Sequence, residues 1–443
     1  MVESNVKIIE ELKLVLKIVS EDTEVRNLFT QHASDFTRNR KLTLESVVGF
    51  ILNMPKRSLV VELREFFSEL GRTNKPATKA AFSQQRTKLL PLFFQVWNHC
   101  LVDAFYTHYG DKIKRWKGFR LLAVDGSTVR LMDAGDVGKE FGLQGNQKVQ
   151  IPMARVMQIH DVLNDIAVWG DLFPIVKSEK AILAERVEHL YKDSLTLFDR
   201  GYPSFGLMYL FINQEEPRNF VMRCTVGFNN VVRQFVRSDA KSQTAEIAAT
   251  ARAILMLREK GFIITSQTTI KVRMVKVILP TGETEVLLTN LYDESIYPTE
   301  EFGQLYFLRW GIETSFGMQK NQQQMEQFSG HRALCIRQDY YAGLFTLNLQ
   351  TLIENQCQTY LQRINATRKY KYKINKNVSR ASIKHNILRL FLLEDPETIL
   401  LRMQMIFEQH IEPKRPDRKI DCTRKVIKYS GKYRTLTNYK RVI

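Results

Sequence analysis

The stretch Phe119-Arg120-Leu121-Leu122-Ala123-Val124-Asp125-Gly126-Ser127 decides the fold class. Before it, apolar residues recur at helical spacing. Within it they stand side by side, broken only by Arg120. A short continuous apolar run ending in Asp-Gly reads as a buried strand followed by a turn. Further along, 154–159 and 166–169 read as two more strands, joined across 160–165. Residues 181–190 read as a helix and 195–198 as a fourth strand, ending at Asp199-Arg200-Gly201-Tyr202. A helix over 204–212 and a fifth strand over 220–226 complete the run. Three strands in a meander, then alternating helix and strand, predict an α/β core: a mixed sheet with helices packed on it.

Upstream, 1–112 read as helical. Leu59, Leu63, Phe66, Phe67 and Leu70 share one helical face, Gly71 can end that helix, and Pro76 can open the next. From Arg72 to Lys88 there are five basic residues and no acidic one. Within this stretch Lys79 to Arg86 combine small residues with Gln and Arg, which suits groove and phosphate contacts. The same composition equally fits a solvated helix of a bundle.

Downstream, Ile270, Val272 and Met274 alternate with Lys271 and Arg273, and a turn at Pro280-Thr281-Gly282-Glu283 leads back to Val286–Leu288. That is a β-hairpin signal inside a β-rich insertion over 227–290. One long helix is expected from about 300 to 322 and another from about 336 to 354. No repeat recurs at a fixed period.

The 443 residues hold 44% apolar and 25% charged residues, which excludes wholesale disorder. The formal net charge of +18 favours an acidic partner. No apolar run approaches the ~20 residues of a membrane span. Glu3, Glu10 and Glu11 interrupt the N-terminal apolar pattern, so a secretory signal is not expected. The five cysteines are scattered without a CxxC pair, which fits a reducing cytoplasm. No phosphate-binding P-loop and no HExxH helix appears.

Asp125 and Asp199 each follow a buried-looking strand, a position where a rigid scaffold presents a carboxylate to solvent. Taken alone, each is more often a turn former. Tyr306, Arg309, Glu313 and Lys320 fall within a ~60° arc at ~100° per residue, a polar stripe beside the apolar Leu305, Leu308, Ile312 and Phe316. The bland alternative is a solvated face with an Arg309–Glu313 pair.

Asp125-Gly126-Ser127, Asp199-Arg200-Gly201-Tyr202 and Tyr306-x2-Arg309-x3-Glu313-x6-Lys320, in that order, resemble the DDE transposases of bacterial insertion sequences. The last motif looks like the Tyr-Arg-Glu-Lys signature of the insertion-sequence four family. Trp310, Ile312 and Leu287-Leu288-Thr289-Asn290-Leu291 fit the same pattern, and the resemblance covers about 35 to 355.

The resemblance implies an RNase H-like core, a mixed five-stranded sheet with helices. It implies a helical N-terminal DNA-binding domain at 1–112. The catalytic core would occupy 113–226 and 291–356 around the 227–290 insertion, followed by a basic, mainly helical DNA-binding and dimerisation segment at 357–443. It maps catalytic and metal-binding roles onto Asp125, Asp199 and Glu313, with two Mg²⁺ ions for which Mn²⁺ can substitute. It implies phosphate contacts for Tyr306, Arg309 and Lys320, with Arg200 and Tyr202 beside Asp199. The partners implied are double-stranded DNA, as terminal inverted repeats and target, and a second copy on paired ends. There would be no membrane, and the setting would be the bacterial cytoplasm near the nucleoid. The expected reaction is cut-and-paste transposition. An RNase H-like nuclease without strand transfer, a non-catalytic DNA-binding protein and a glycosidase are the alternatives, the last fitting neither the stripe nor the basic tail.

Relatives that cut through a DNA hairpin carry an aromatic wedge in the insertion. No tryptophan lies in 227–290, so Phe228, Phe235 or Phe262 are the stand-ins. The excess charge is local: 361–443 hold 21 Lys plus Arg against 7 Asp plus Glu. There Lys369 and Lys371, and the run from Arg424 to Arg441, form a candidate phosphate-contacting surface. Lys79 and Arg86 are the corresponding candidates near the N-terminus.

Overall fold

A computed structural model describes residues 1–38, 40–53, 56–72, 76–147, 149–279 and 282–414. Six helices come first: α1 (Val2–Glu21), α2 (Thr23–Asn27), α3 (Leu44–Leu52), α4 (Leu59–Glu69), α5 (Lys79–Arg86) and α6 (Leu92–Tyr109). Gly71 does end α4: at φ +69° its N–H bonds Ser68 O, while that of Arg72 reaches Phe67 O. The start of α5 differs from the expectation. Thr78 caps it, its hydroxyl accepting from Ala81 N–H, and so satisfies a free first-turn donor, as Pro76 could not.

The sheet begins with β1 (Arg120–Arg130), followed by α7 (Val137–Phe141), β2 (Leu143–Gly145), β3 (Gln150–Asp161) and β4 (Ile166–Pro174). Then come α8 (Glu179–Ala184), β5 (Ser194–Phe198), α9 (Phe205–Ile212) and β6 (Asn219–Cys224). Asp125-Gly126 is therefore not a turn. Asp125 pairs with Gln158 and Gly126 with Met157, because β3 supplies backbone partners well beyond the end of the apolar run. The helix expected over 181–190 is shorter, and a 3₁₀ turn at Val187–His189 completes it.

β1 runs antiparallel to β3 and parallel to β5, β3 antiparallel to β4, and β5 parallel to β6. The second stretch holds α10 (Asn230–Arg237), β7 (Ser242–Ala248), α11 (Ala251–Glu259), β8 (Thr269–Ile278) and β9 (Thr284–Thr289). β9 pairs with β6, β8 with β9 and β7 with β8, so this region extends the same sheet to nine strands. In the β8–β9 turn, Gly282 sits at φ +85° and its N–H bonds Leu279 O. Pro280 and Thr281 lie outside the described residues.

The expected 300–322 helix is two helices, α12 (Phe302–Phe307) and α13 (Trp310–Asn321). At the joint the N–H groups of Leu308, Arg309 and Gly311 bond carbonyls three residues back. Such tight 3₁₀ bonding shifts the helix phase without altering the apolar spacing by which sequence is read. The chain continues through α14 (Ala333–Glu354), α15 (Gln358–Thr367), β10 (Tyr372–Ile374), α16 (Lys376–Leu388), α17 (Pro396–Gln409) and β11 (Ile411–Pro413).

Both faces of β1 are covered, which explains its unbroken apolar run. Leu122 and Val124 face a core with α8 to α11. Ala123 and Val129 face the helices: α1, α3 to α6, α14, α16 and α17 share one apolar core with them. The boundary near 112 is thus a change of secondary structure within one core. Trp97 stacks on Phe345 of α14 at 4.4 Å. Among the described residues no helix is long and apolar enough to cross a membrane.

Candidate active site

The parallel pairing of β1 and β5 places two carboxylates at one level. Ala123 is paired with Leu197, and Asp125 and Asp199 each lie two residues further on. Asp125 Oδ1 accepts the Gly126 N–H at 2.8 Å, and Asp199 Oδ1 accepts that of Gly201 at 2.8 Å. Burial pushes the Asp125 carboxyl up to about 7. The charges of Asp199 and Glu179 add to this, against the Gly126 N–H and the Arg309 guanidinium.

Tyr306 is buried and donates its hydroxyl to Phe198 O at 3.1 Å. This pins α12 to the end of β5, next to Asp199. The hydroxyl proton is given to the backbone here. One turn on, Arg309 is 5% exposed and its Nη2 donates to Glu313 Oε1 at 2.7 Å. Its Nε and Nη1 are buried with no partner among the described residues. Burial opposes the Arg309 charge, but Glu313, Tyr306 and Asp125 outweigh it and hold the group cationic. Lys320, on α13, has its pKa lowered by burial, while the charges of Glu326 and Asp125 act the other way. The structure thus gathers Asp125, Asp199, Arg309, Glu313 and Lys320 around the central strands β1 and β5.

Glu313 faces Arg309, and its side chain is 40% exposed. Among the described residues no three His, Cys, Asp or Glu side chains are grouped closely enough to hold a metal ion. Asp125 and Asp199 still present hard oxygen donors as a mutually repelling pair, a donor set that suits Mg²⁺.

Two residues that sequence reasoning passed over, Glu179 and Arg155, stand here. Glu179, the first residue of α8, accepts from Arg155 Nη1 at 2.6 Å and from the Tyr202 hydroxyl at 3.0 Å. Ser178-Glu179-Lys180 reads as an ordinary capped helix start, so only the fold reveals it. Tyr202 is buried, and Arg200 is exposed.

Lys79 is exposed on α5 and lines a cleft of about 660 Å³ with Ser83, Gln84, Thr87, His331 and Arg332. Arg86 is 2% exposed and bonds Gln338 and Asp339, each at 2.6 Å, and Cys335 O at 2.9 Å. Its fork is engaged by acceptors inside the protein. Lys369 and Lys371 are exposed beside β10. Residues 424–441 lie outside the described residues. In the 227–290 region Phe235 is buried, Phe262 packs edge-on against Tyr209 at 5.4 Å, and Phe228 is half-buried. Phe235 and Phe262 are therefore engaged in packing.

No protein-family model matches the chain. Over 252 residues it is 25% identical to transposase InsG for insertion sequence element IS4 of Escherichia coli (strain K12), covering 55% of this chain and 54% of that protein. The chain resembles the transposases of insertion sequences. It spans about half the length of this curated relative. The piggyBac transposase, solved by cryo-electron microscopy in a synaptic complex with hairpin DNA, overlays with TM-score 0.44 and 11% identity. That overlay covers 93% of this transposase-like chain and 88% of the other, a likeness too loose to carry an argument.

Proposed function

We propose that this protein is a DNA transposase that cleaves the ends of an insertion sequence and joins them to target DNA by in-line phosphoryl transfer. One observation supports the reading: Asp125 lies within electrostatic reach of both Asp199 and a buried guanidinium, Arg309, whose Nε and Nη1 have no hydrogen-bond partner among the described residues. Paired acids with a fixed, unsatisfied cation beside them suit a phosphodiester, which needs charge neutralisation and precise placement.

The β4-β3-β1-β5-β6 order supports an RNase H-like core. In this reading 1–112 contact DNA, and 113–226 with 291–356 carry the chemistry. Residues 227–290 are an insertion continuous with the sheet, and 357–443 add DNA contacts and dimerisation. Asp125 and Asp199 would hold the divalent ions, with Glu313 joining them once turned from Arg309. Two Mg²⁺ bound there supply Lewis-acid stabilisation of the attacking and leaving oxygens. Arg309 holds the scissile phosphate bidentately and Lys320 a neighbouring one. Double-stranded DNA is the substrate, and the working form is a dimer on paired ends. A joining assay with pre-cut end duplex, target plasmid and Mg²⁺ tests the reading. Joined product is expected, whereas cutting without any joining would leave a nuclease.

A further inference from the structure

We propose that Glu179 is a positioning residue, a carboxylate strut that sets the spacing of Asp125 and Asp199. The inference rests on the proposed active site and adds a fourth acid to it in a different role.

Three elements meet at this carboxylate. Oε1 takes the Arg155 guanidinium of β3, and Oε2 takes the Tyr202 hydroxyl, three residues past Asp199. Arg155 is itself anchored, its Nη2 donating to Ile175 O at 3.3 Å. The third contact is steric. A Cβ built on Gly126 would lie 2.4 Å from Glu179 Cδ and Oε1, so the carboxyl occupies the space a side chain at 126 would need. Gly126 follows Asp125 directly, and its N–H holds Asp125 Oδ1. The strut therefore joins the backbone beside one aspartate to the loop that carries the other.

Tyr202 transmits the constraint. Its N–H bonds Asp199 O at 3.3 Å, and its buried hydroxyl finds its acceptor in Glu179. Both Glu179 oxygens are engaged by protein donors, so Glu179 acts through its neighbours and not on the reacting atoms. Supporting groups of this kind typically tune ion affinity by 10–100-fold.

Gly126→Ala tests the strut without changing residue 179, because the added methyl would displace the Glu179 carboxyl. Mn²⁺ affinity is measured on the full chain by electron paramagnetic resonance, together with single-turnover cleavage of end duplex and the unfolding temperature. Glu179→Ala and Gly126→Ala should each weaken Mn²⁺ binding about tenfold or more and slow cleavage alike. The double variant should be no worse than either single one, since both remove one strut. Glu179→Gln, which keeps the shape, should recover part of the affinity. Tyr202→Phe should fall between, and it carries the test if Glu179→Ala does not fold. Mn²⁺ affinity within twofold of wild type in Gly126→Ala and Tyr202→Phe, with Asp125→Asn strongly impaired, would overturn the strut and leave the acid site standing. Unimpaired Mn²⁺ binding and cleavage by Asp125→Asn would instead overturn the active-site reading itself.

Discussion

Arg309 gives one N–H to Glu313 at 2.7 Å and keeps its Nε and Nη1 buried without a protein acceptor among the described residues. Unmet buried donors on a charged group cost about 1–3 kcal/mol or more, so a fold retains them where a ligand completes the set. Arg309→Met should leave the DNA-free protein as stable as wild type or more so, because Glu313 is exposed enough to stay solvated. Cleavage should fall about a hundredfold or more. Thermal unfolding beside single-turnover cleavage checks both halves. A large loss of stability would make Arg309 a structural residue.

Asp125 gives a pH-dependent expectation for the protein in chelator. Its carboxyl is held at about 7, mainly by burial and then by the charges of Asp199 and Glu179. Between roughly pH 4 and 7 the folded chain then keeps a proton that the unfolded chain has released. Stability falls as pH rises through that window, and the full cost is felt above it. Asp125→Asn removes the titration and should be more stable than wild type at pH 8, by at least about 1 kcal/mol. Denaturant midpoints at pH 5 and 8 read this directly, and equal slopes for the two proteins would refute it.

The Arg86–Asp339 pair should behave in the opposite sense. Asp339 is largely shielded from solvent, yet the Arg86 guanidinium, helped by Lys56 and Ser329, holds its carboxyl below the usual range. Its contribution is present above about pH 4 and is lost as pH falls through the lowered value. Asp339→Ala strands a buried guanidinium and should cost about 3–5 kcal/mol at neutral pH. Its unfolding curve should also lose sensitivity to acid. A cost below 1 kcal/mol would show that the α5–α14 joint does not depend on the pair.

Lys320→Ala should weaken end binding and lower the slope of log affinity against log salt by about 0.9, the value of one phosphate contact. Fluorescence anisotropy across a salt series measures it. An unchanged slope would place Lys320 off the DNA.

How much of this was legible depends on the range of the interactions. Strands buried on both faces announce themselves as apolar runs, so the order of β1, β3, β4, β5 and β6 is readable from 119–226. The polar stripe on 306–320 is readable too, since spacing alone defines it. What periodicity cannot hold is the joint at Leu308-Arg309, where the spacing survives while the hydrogen bonds tighten. Nor can it tell a buried arginine from a solvated one. Arg86 reads as a DNA contact because its acceptors, Gln338 and Asp339, are more than 250 residues away in the chain. Asp125 reads as a turn residue because β3, which continues the strand past it, is formed by later residues. Glu179 carries no local signal at all.

The most direct test of the central claim compares wild type with Asp125→Asn, Asp199→Asn and Glu313→Gln on duplex carrying the element's own terminal repeat, with and without Mg²⁺. Wild type should cut at the repeat only with the ion present, and each variant should bind the duplex near wild-type affinity while cutting at least about a hundredfold more slowly. Cutting at the wild-type rate by any one of the three variants would contradict the assignment of these acids to the chemistry.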